Sequence, residues 1–403
     1  MSPDMDDKNI SPKRTFLFSL FLTILIGECC LASTIGIASG QATADGRPLL
    51  WINLDRPDDR VSAAYFQGAR FHFLGIIPSN DTTTVWMGVN TAGLALVGVV
   101  SAGLEGDSTG QSGQFLKTAL ALCADVQEFQ NLLDITNDRR RKVKAHFGCF
   151  DKRGRAALFE VGNSTYTFFD VDDPIENSDH FLIRSDFSIT GVGSGEEGVW
   201  RYHRAKKLFQ HAIMGRMLDY KYLLQHVARD LANEEIDPDP WLRSGNLVPP
   251  AAEFLDTENS LNSYNTAACC VFQGVRENED ELLTTLWIIL GNPVAGVAVP
   301  LWCRTGEIPK QLVSTEVGIF KMAGENKDKL YKKVGSGRQL KLKAHTGKKS
   351  WSRNALLHKE NDIFDMVDQK MLVWRRTAPS LKELVVMQQK AIDRILAVPG
   401  RRE

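Results

Sequence analysis

The chain has no surplus of charge, no apolar run long enough to cross a bilayer, and no cysteine or histidine spacing that builds a metal site. Its 403 residues carry 48 Lys and Arg against 49 Asp and Glu. This balance gives no general electrostatic reason to expect nucleic acid or an anionic membrane surface as partner. The basic run Asp138 to Lys144 lacks the aromatic interleaving of a nucleic-acid face and reads as a solvated turn. The apolar stretch Thr15 to Gly27 spans 13 residues, against roughly 20 for a membrane-spanning helix. Seven cysteines are present without CxxC spacing, and the histidines do not form HExxH. No metal and no cofactor is expected, and there is no internal repeat.

What is there begins at the N-terminus. Lys13 and Arg14 precede the apolar run, and Cys30-Leu31-Ala32 places small residues third from last and last before Ser33. That is the layout of a secretory signal peptide and its cleavage site. Residues 1–32 are therefore expected to be removed, and the protein to be periplasmic or secreted, touching a membrane only through that signal. Glu28, just before Cys29, disfavours a lipid anchor, although a retained or lipid-modified N-terminus stays open as an alternative. Cleavage removes three basic residues (Lys8, Lys13, Arg14) and four acidic ones (Asp4, Asp6, Asp7, Glu28), leaving 45 of each sign. Five cysteines remain. An odd number leaves at least one thiol free, and Cys123, Cys269 and Cys270 read as buried small hydrophobes.

Cleavage after Ala32 makes Ser33 the first residue, with an α-amine beside its hydroxyl. Such an amine has a reference pKa of about 7.7 to 8.0, so it can take the proton of that hydroxyl and make one residue both nucleophile and base. Two apolar runs, Ser33 to Ser39 and Pro48 to Leu54, flank Ala44-Asp45-Gly46-Arg47. An Asp-Gly pair between such runs predicts a β-hairpin. Cleavage before Cys30 would leave a cysteine instead, but an odd three-residue shift would turn that side chain to the opposite face of the strand.

The hairpin SGQATADGRPLLWINLD, with GVNTAGLAL, HFGCFDKRGRAALFEVGN, LIRSDFSITG and VFQGVRENEDELLTTLWIILGNPVAGVAVPLW, resembles the N-terminal-nucleophile amidohydrolases. It looks most like the acyl-coenzyme A:6-aminopenicillanic acid acyltransferase-like, or linear amide C-N hydrolase, family. The resemblance covers residues 33–305. It implies an α+β fold, the four-layer αββα sandwich of antiparallel sheets. It also implies that Ser33 attacks a small linear amide or acyl donor, with hydrolysis or acyl transfer following. Asp55 matches the residue that orients the terminal amine, and Asn90 and Asp186 match further catalytic positions. Ile52, Ser263 and Glu160 fall where the family contacts substrate. Several positions depart from the pattern: cysteine usually stands at Ser33, a basic residue at Ile52, Asn at Asp186 and Arg at Ser263. The alternative is a ligand-binding protein on the same fold. The oligomeric state and the acyl and amine specificity are not legible.

Along the chain, strands are expected at Ala69 to Ile77, Thr83 to Met87, Leu94 to Val100, Ala145 to Asp151, Ala156 to Val161, Thr165 to Asp170, Ala267 to Gln273, Leu283 to Leu290 and Val294 to Leu301. One helix is expected over Gln114 to Asn131 and others over Trp200 to Met214 and Leu218 to Leu231. The glycine-rich segment Ser101 to Ser112 reads as a mobile loop. Residues 306–403 form a C-terminal extension, a basic linker (Lys321 to Lys349) followed by an amphipathic helix (Ala378 to Val398) that packs on the domain.

Overall fold

The computed structural model describes residues 33–56, 60–79, 81–106, 111–192, 197–232 and 253–397. The signal-peptide expectation, the tip of the Ser101 to Ser112 loop and the Asp-Pro repeat after residue 236 lie outside them.

The first hairpin forms as its sequence predicts. β1 (Thr34–Ala38) pairs antiparallel with β2 (Leu49–Asp55), from Ala38 opposite Leu49 to Thr34 opposite Asn53. In the connection Gly46 takes φ +71°, the left-handed conformation that Asp-Gly tolerates. Arg47 closes the turn, bonding Asp45 at 3.0 Å and Glu279 at 2.9 Å.

This hairpin lies within a six-stranded antiparallel sheet. β10 (Phe181–Arg184) lies outside β1; β12 (Thr266–Gln273), β13 (Thr285–Leu290) and β14 (Val299–Trp302) continue beyond β2. A second antiparallel sheet of seven strands runs in chain order: β3 (Val61–Phe66), β4 (Phe73–Pro78), β5 (Met87–Asn90), β6 (Ala95–Val100), β7 (Ala145–Phe150), β8 (Ala156–Val161) and β9 (Tyr166–Asp170). Alternation gives each strand two apolar faces. Ile35, Ile37, Leu50 and Ile52 meet Val97, Phe150 and Leu158 between the sheets. The outer face of the second sheet, with Leu96, Phe147 and Phe159, is covered by α1 (Ser112–Leu122) and α2 (Val126–Asn137). The outer face of the first is covered by α3 (Val199–Met214), by the turn α4 (Tyr220–Tyr222) running into a π-helix (Leu223–Val227), and by two C-terminal helices. The result is a four-layer αββα sandwich.

The single helix expected over Gln114 to Asn131 is two. Asp125 breaks it by capping α2, its carboxylate accepting from Glu128 N at 2.9 Å. The segment expected as a basic linker is also structured: α5 (Ile319–Leu330) is followed by the hairpin β15 (Tyr331–Val334) and β16 (Gly337–Lys341), which pairs with β11 (Phe254–Asp256), and by α6 (Leu342–His345). Most of its lysines fall on exposed positions, Lys327 being buried, while Leu330, Tyr331 and Leu340 close a small core of their own. α7 (Arg353–Trp374) and α8 (Leu381–Leu396) then pack on the first sheet, Phe364 meeting Trp287 edge-on at 5.1 Å. No helix of the described residues is long and apolar enough to cross a membrane. Cys123, Cys149, Cys269, Cys270 and Cys303 are all unpaired and buried. Burial pushes the Cys123 and Cys303 thiols up to about 12, so they stay protonated and pack as hydrophobes.

Candidate active site

The site is built where β1 begins and β2 ends. Ser33 Oγ accepts a hydrogen bond from the backbone N–H of Asp55 at 3.2 Å, so the antiparallel pairing itself fixes the hydroxyl. The Asp55 carboxylate is held from the third strand. Thr266 Oγ1 donates to one of its oxygens at 2.5 Å and Ser263 Oγ to the other at 3.3 Å. A register shift between Thr266 and Ala268 sets Thr266 opposite Asp55, a use of the irregular strand start that re-aims one side chain. Ser263 is fixed in turn: its N–H donates to Thr266 Oγ1 at 2.9 Å, and its carbonyl accepts from Asn292 Nδ2 at 2.7 Å.

A second carboxylate arrives from the other side of β1. Ile35 pairs with Arg184, and the contact of Thr34 Oγ1 with Ser185 Oγ at 3.3 Å carries that register one step further. Beyond that contact Asp186 lies close enough for its charge, and that of Arg201, to act on Asp55. Asp186 is ion-paired with Arg201 of α3, both side chains buried. Arg201 occupies the apolar stripe of its helix with Ala205, Phe209 and Ala212. The α3 N-terminus reaches Asp186 because Gly198 precedes it at φ +79°; a Cβ there would lie 2.5 Å from Ser185 Oγ and 2.6 Å from Asp186 Oδ2. Gly198→Ala is therefore expected to destabilise the fold by about 1–3 kcal/mol and to loosen the Asp186–Arg201 pair. Urea unfolding checks the first effect, and a loss below 0.5 kcal/mol (about the scatter of neutral substitutions) would contradict the crowding.

Burial pushes Asp55 up to about 7, opposed by the charge of Arg201 and the Thr266 hydrogen bond and assisted by the charge of Asp186. Burial likewise pushes Asp186 up to about 6, opposed by Arg201. A carboxyl that holds its proton natively up to about 7, but only to about 3.9 when unfolded, contributes stability that is complete at low pH and lost as pH rises through that window. Thermal melts should show the parent losing ground to Asp55→Asn between pH 4 and pH 7, with a constant difference above. Buried His146 works in the opposite direction, held down to about 4, but it is common to both proteins and cancels. A constant difference across the whole range would contradict the assignment.

Of the residues singled out in the sequence, Ser33, Asp55 and Ser263 are joined by hydrogen bonds, and Asp186 lies close enough for its charge to act on Asp55. Ile52 is fully buried in the core, paired with Ile35 and Cys270. Asn90 is not brought to Ser33. Its Nδ2 donates to the carbonyls of Leu120 and Cys123 at 2.9 and 2.7 Å, and its Oδ1 accepts from the N–H groups of Ala92 and Leu94, both at 3.1 Å. All four hydrogen-bonding positions of that amide hold a tight turn against α1. Glu160 does not reach Ser33 either. Its oxygens accept from Arg184 Nε at 2.7 Å, from the N–H groups of Ile189 and Thr190 at 2.9 Å, and from Thr190 Oγ1. It anchors the turn that follows Asp186, and His146 Nε2, 3.0 Å from the Phe187 carbonyl, does the same from β7. Arg201 was missed in the sequence; its signal was an arginine in register with an apolar helical stripe.

Fold and site together define a four-layer sandwich of antiparallel sheets that gathers a hydroxyl, two carboxylates and a guanidinium at the open end of its first hairpin. Among solved structures it is similar to a mutant form of conjugated bile acid hydrolase from Clostridium perfringens, at 14% identity over 68% of this chain and 92% of that one, with a TM-score of 0.38. Penicillin V acylase from Agrobacterium tumefaciens shares 12% identity over 71% of this chain and 89% of that one, TM-score 0.36. The Caenorhabditis elegans ortholog of N-acylethanolamine-hydrolyzing acid amidase shares 12% over 46% and 86%, TM-score 0.33. At these identities and scores the likenesses do not bear on activity. No family model matches the chain, and no curated protein does.

Proposed function

We propose that this protein is an exported amidohydrolase or acyltransferase that uses Ser33 as an N-terminal nucleophile. The observation that carries the reading is the placement of Ser33: its Oγ is fixed by the Asp55 N–H at 3.2 Å, and the Asp55 carboxyl is in turn held by Thr266 and Ser263. Removal of residues 1–32 frees the amine. The Ser33 hydroxyl then passes its proton to that amine as Oγ attacks the amide carbonyl. The amine of the substrate leaves with a proton, an ester on Ser33 remains, and water or a second amine takes the acyl group.

The test is direct. Incubation of the chain beginning at Ser33 with a series of activated acyl anilides should add one acyl mass to the peptide that starts at Ser33, and hydroxylamine should remove it. An unmodified terminus after exhaustive incubation, with the acyl compounds bound but unchanged, would replace this reading by the second one. That second reading, a ligand-binding protein on the same fold, draws on apolar Ile52 at the basic position of the hairpin and on the fully engaged amide of Asn90.

A further inference from the structure

Two polar atoms at the site, both in side chains more than nine-tenths buried, have no hydrogen-bond partner among the described residues: Arg201 Nε, a donor, and Asp186 Oδ1, an acceptor. Leaving either unsatisfied costs free energy, and the pair is unsatisfied in a complementary sense. One occupant that both gives and takes a hydrogen bond would complete it. A neutral primary amine does so in the resting site, donating to Asp186 Oδ1 and accepting from Arg201 Nε–H, and its single lone pair turns from Arg201 to the Ser33 hydroxyl when it takes that proton. An ammonium group has no lone pair and can do only the first. Thr34 Oγ1 meets Ser185 Oγ at 3.3 Å, and Asp55, whose N–H donates to Ser33 Oγ, feels the charges of both Asp186 and Arg201, so we infer that the amine freed by cleavage after Ala32 emerges near this pair.

Resting on the N-terminal-serine reading, we propose that Arg201 is the positioning cation of the site, holding Asp186 beside residue 33 so that the released amine is bound in its neutral, proton-accepting form. It thereby supplies, from a helix, the positive charge that Ile52 and Ser263 do not. The charged groups around that position come from every neighbouring element: Asp55 from β2, Asp186 from the turn after β10, and Glu197 and Arg201 from the start of α3. The Tyr331 hydroxyl of β15, also buried without a hydrogen-bond partner among the described residues, feels the Asp55 charge. With three carboxylates near the amine, Arg201 is the group whose charge opposes its protonation.

The test titrates the amine without requiring turnover. The exported protein is labelled competitively with acetic anhydride across pH 5 to 10, and the modified N-terminal peptide is quantified by mass. In Arg201→Met the midpoint should move up by about one pH unit or more, in line with the loss of a nearby opposing charge, cutting the free-amine fraction about tenfold at pH values well below the parent midpoint. Arg201→Lys should restore most of the parent midpoint. Asp186→Asn, which removes a negative charge and serves should Arg201→Met fail to fold, should move the midpoint down. A folded Arg201→Met or Asp186→Asn protein with an unchanged midpoint would overturn the inference while leaving the nucleophile in place. An exported chain whose first residue is not Ser33 would overturn the nucleophile and this inference with it.

Discussion

Ser33→Ala in the chain cleaved after Ala32 should abolish the acyl adduct and lower turnover of any amide substrate at least about 10³-fold, the scale seen when a nucleophile acting with its base is removed. Folding should be almost unaffected. Among the described residues Ser33 Oγ accepts a single hydrogen bond, from the Asp55 N–H, and losing one such bond is worth about 0.5–1.5 kcal/mol. The measurement is turnover of the acyl anilides together with urea unfolding of both proteins. Retained turnover in a folded Ser33→Ala protein would place the chemistry elsewhere. Among the described cysteines no rival exists, since all five are buried and unpaired.

The largest stability effect is expected far from Ser33, at Glu360. This carboxylate lies on the buried stripe of α7 and takes both terminal nitrogens of Arg229 at 2.9 and 2.8 Å, as well as the Ala298 N–H at 2.9 Å. Arg229 in turn donates to the carbonyls of Pro293, Leu224 and Gly296. Both side chains are almost entirely buried. Glu360→Ala would strand a buried guanidinium and open a gap under α7, at a cost of about 3–5 kcal/mol. Replacing both partners by apolar residues, Arg229→Met with Glu360→Leu, should recover much of that, because neither charge is then left alone. Denaturant unfolding of the three variants checks this. A Glu360→Ala loss under 1 kcal/mol (within the range of an exposed pair) would show that α7 is not bolted to the core through this pair.

Glu360 also explains what the sequence hides. The buried residues of α7 are Leu356, Glu360, Ile363, Phe364, Val367, Met371 and Trp374, a regular helical stripe interrupted by a charge. That charge is neutralised by Arg229, more than a hundred residues earlier in the chain, so its burial cannot be read locally and the helix passes as unpatterned. Arg201 hides in the same way on α3, where the helix itself was legible but its arginine was not. Local signals served better where the chemistry is local. Asp45-Gly46 marked the first hairpin, and the run Ala156 to Val161 matches β8 residue for residue. Asp125, a cap three residues before Glu128, carried a legible signal for the break between α1 and α2, and a continuous apolar period obscured it. The four-layer arrangement came from family resemblance, because strand order across two sheets depends on pairings such as β2 with β12 that periodicity does not encode. The proximity of Ser33 to Asp55 is legible through the hairpin that joins them. Asn90, a Gly-flanked asparagine, fits a tight turn as well as a catalytic position, and its four hydrogen bonds serve the turn.

The central claim is that Ser33 becomes the first residue of the working protein. Intact mass and N-terminal sequencing of the protein recovered from outside the cytoplasm test it most directly. The expected result is a chain beginning Ser33-Thr34-Ile35 with an unmodified α-amine. A chain that retains residues before Ser33, or begins at Cys30, would contradict it.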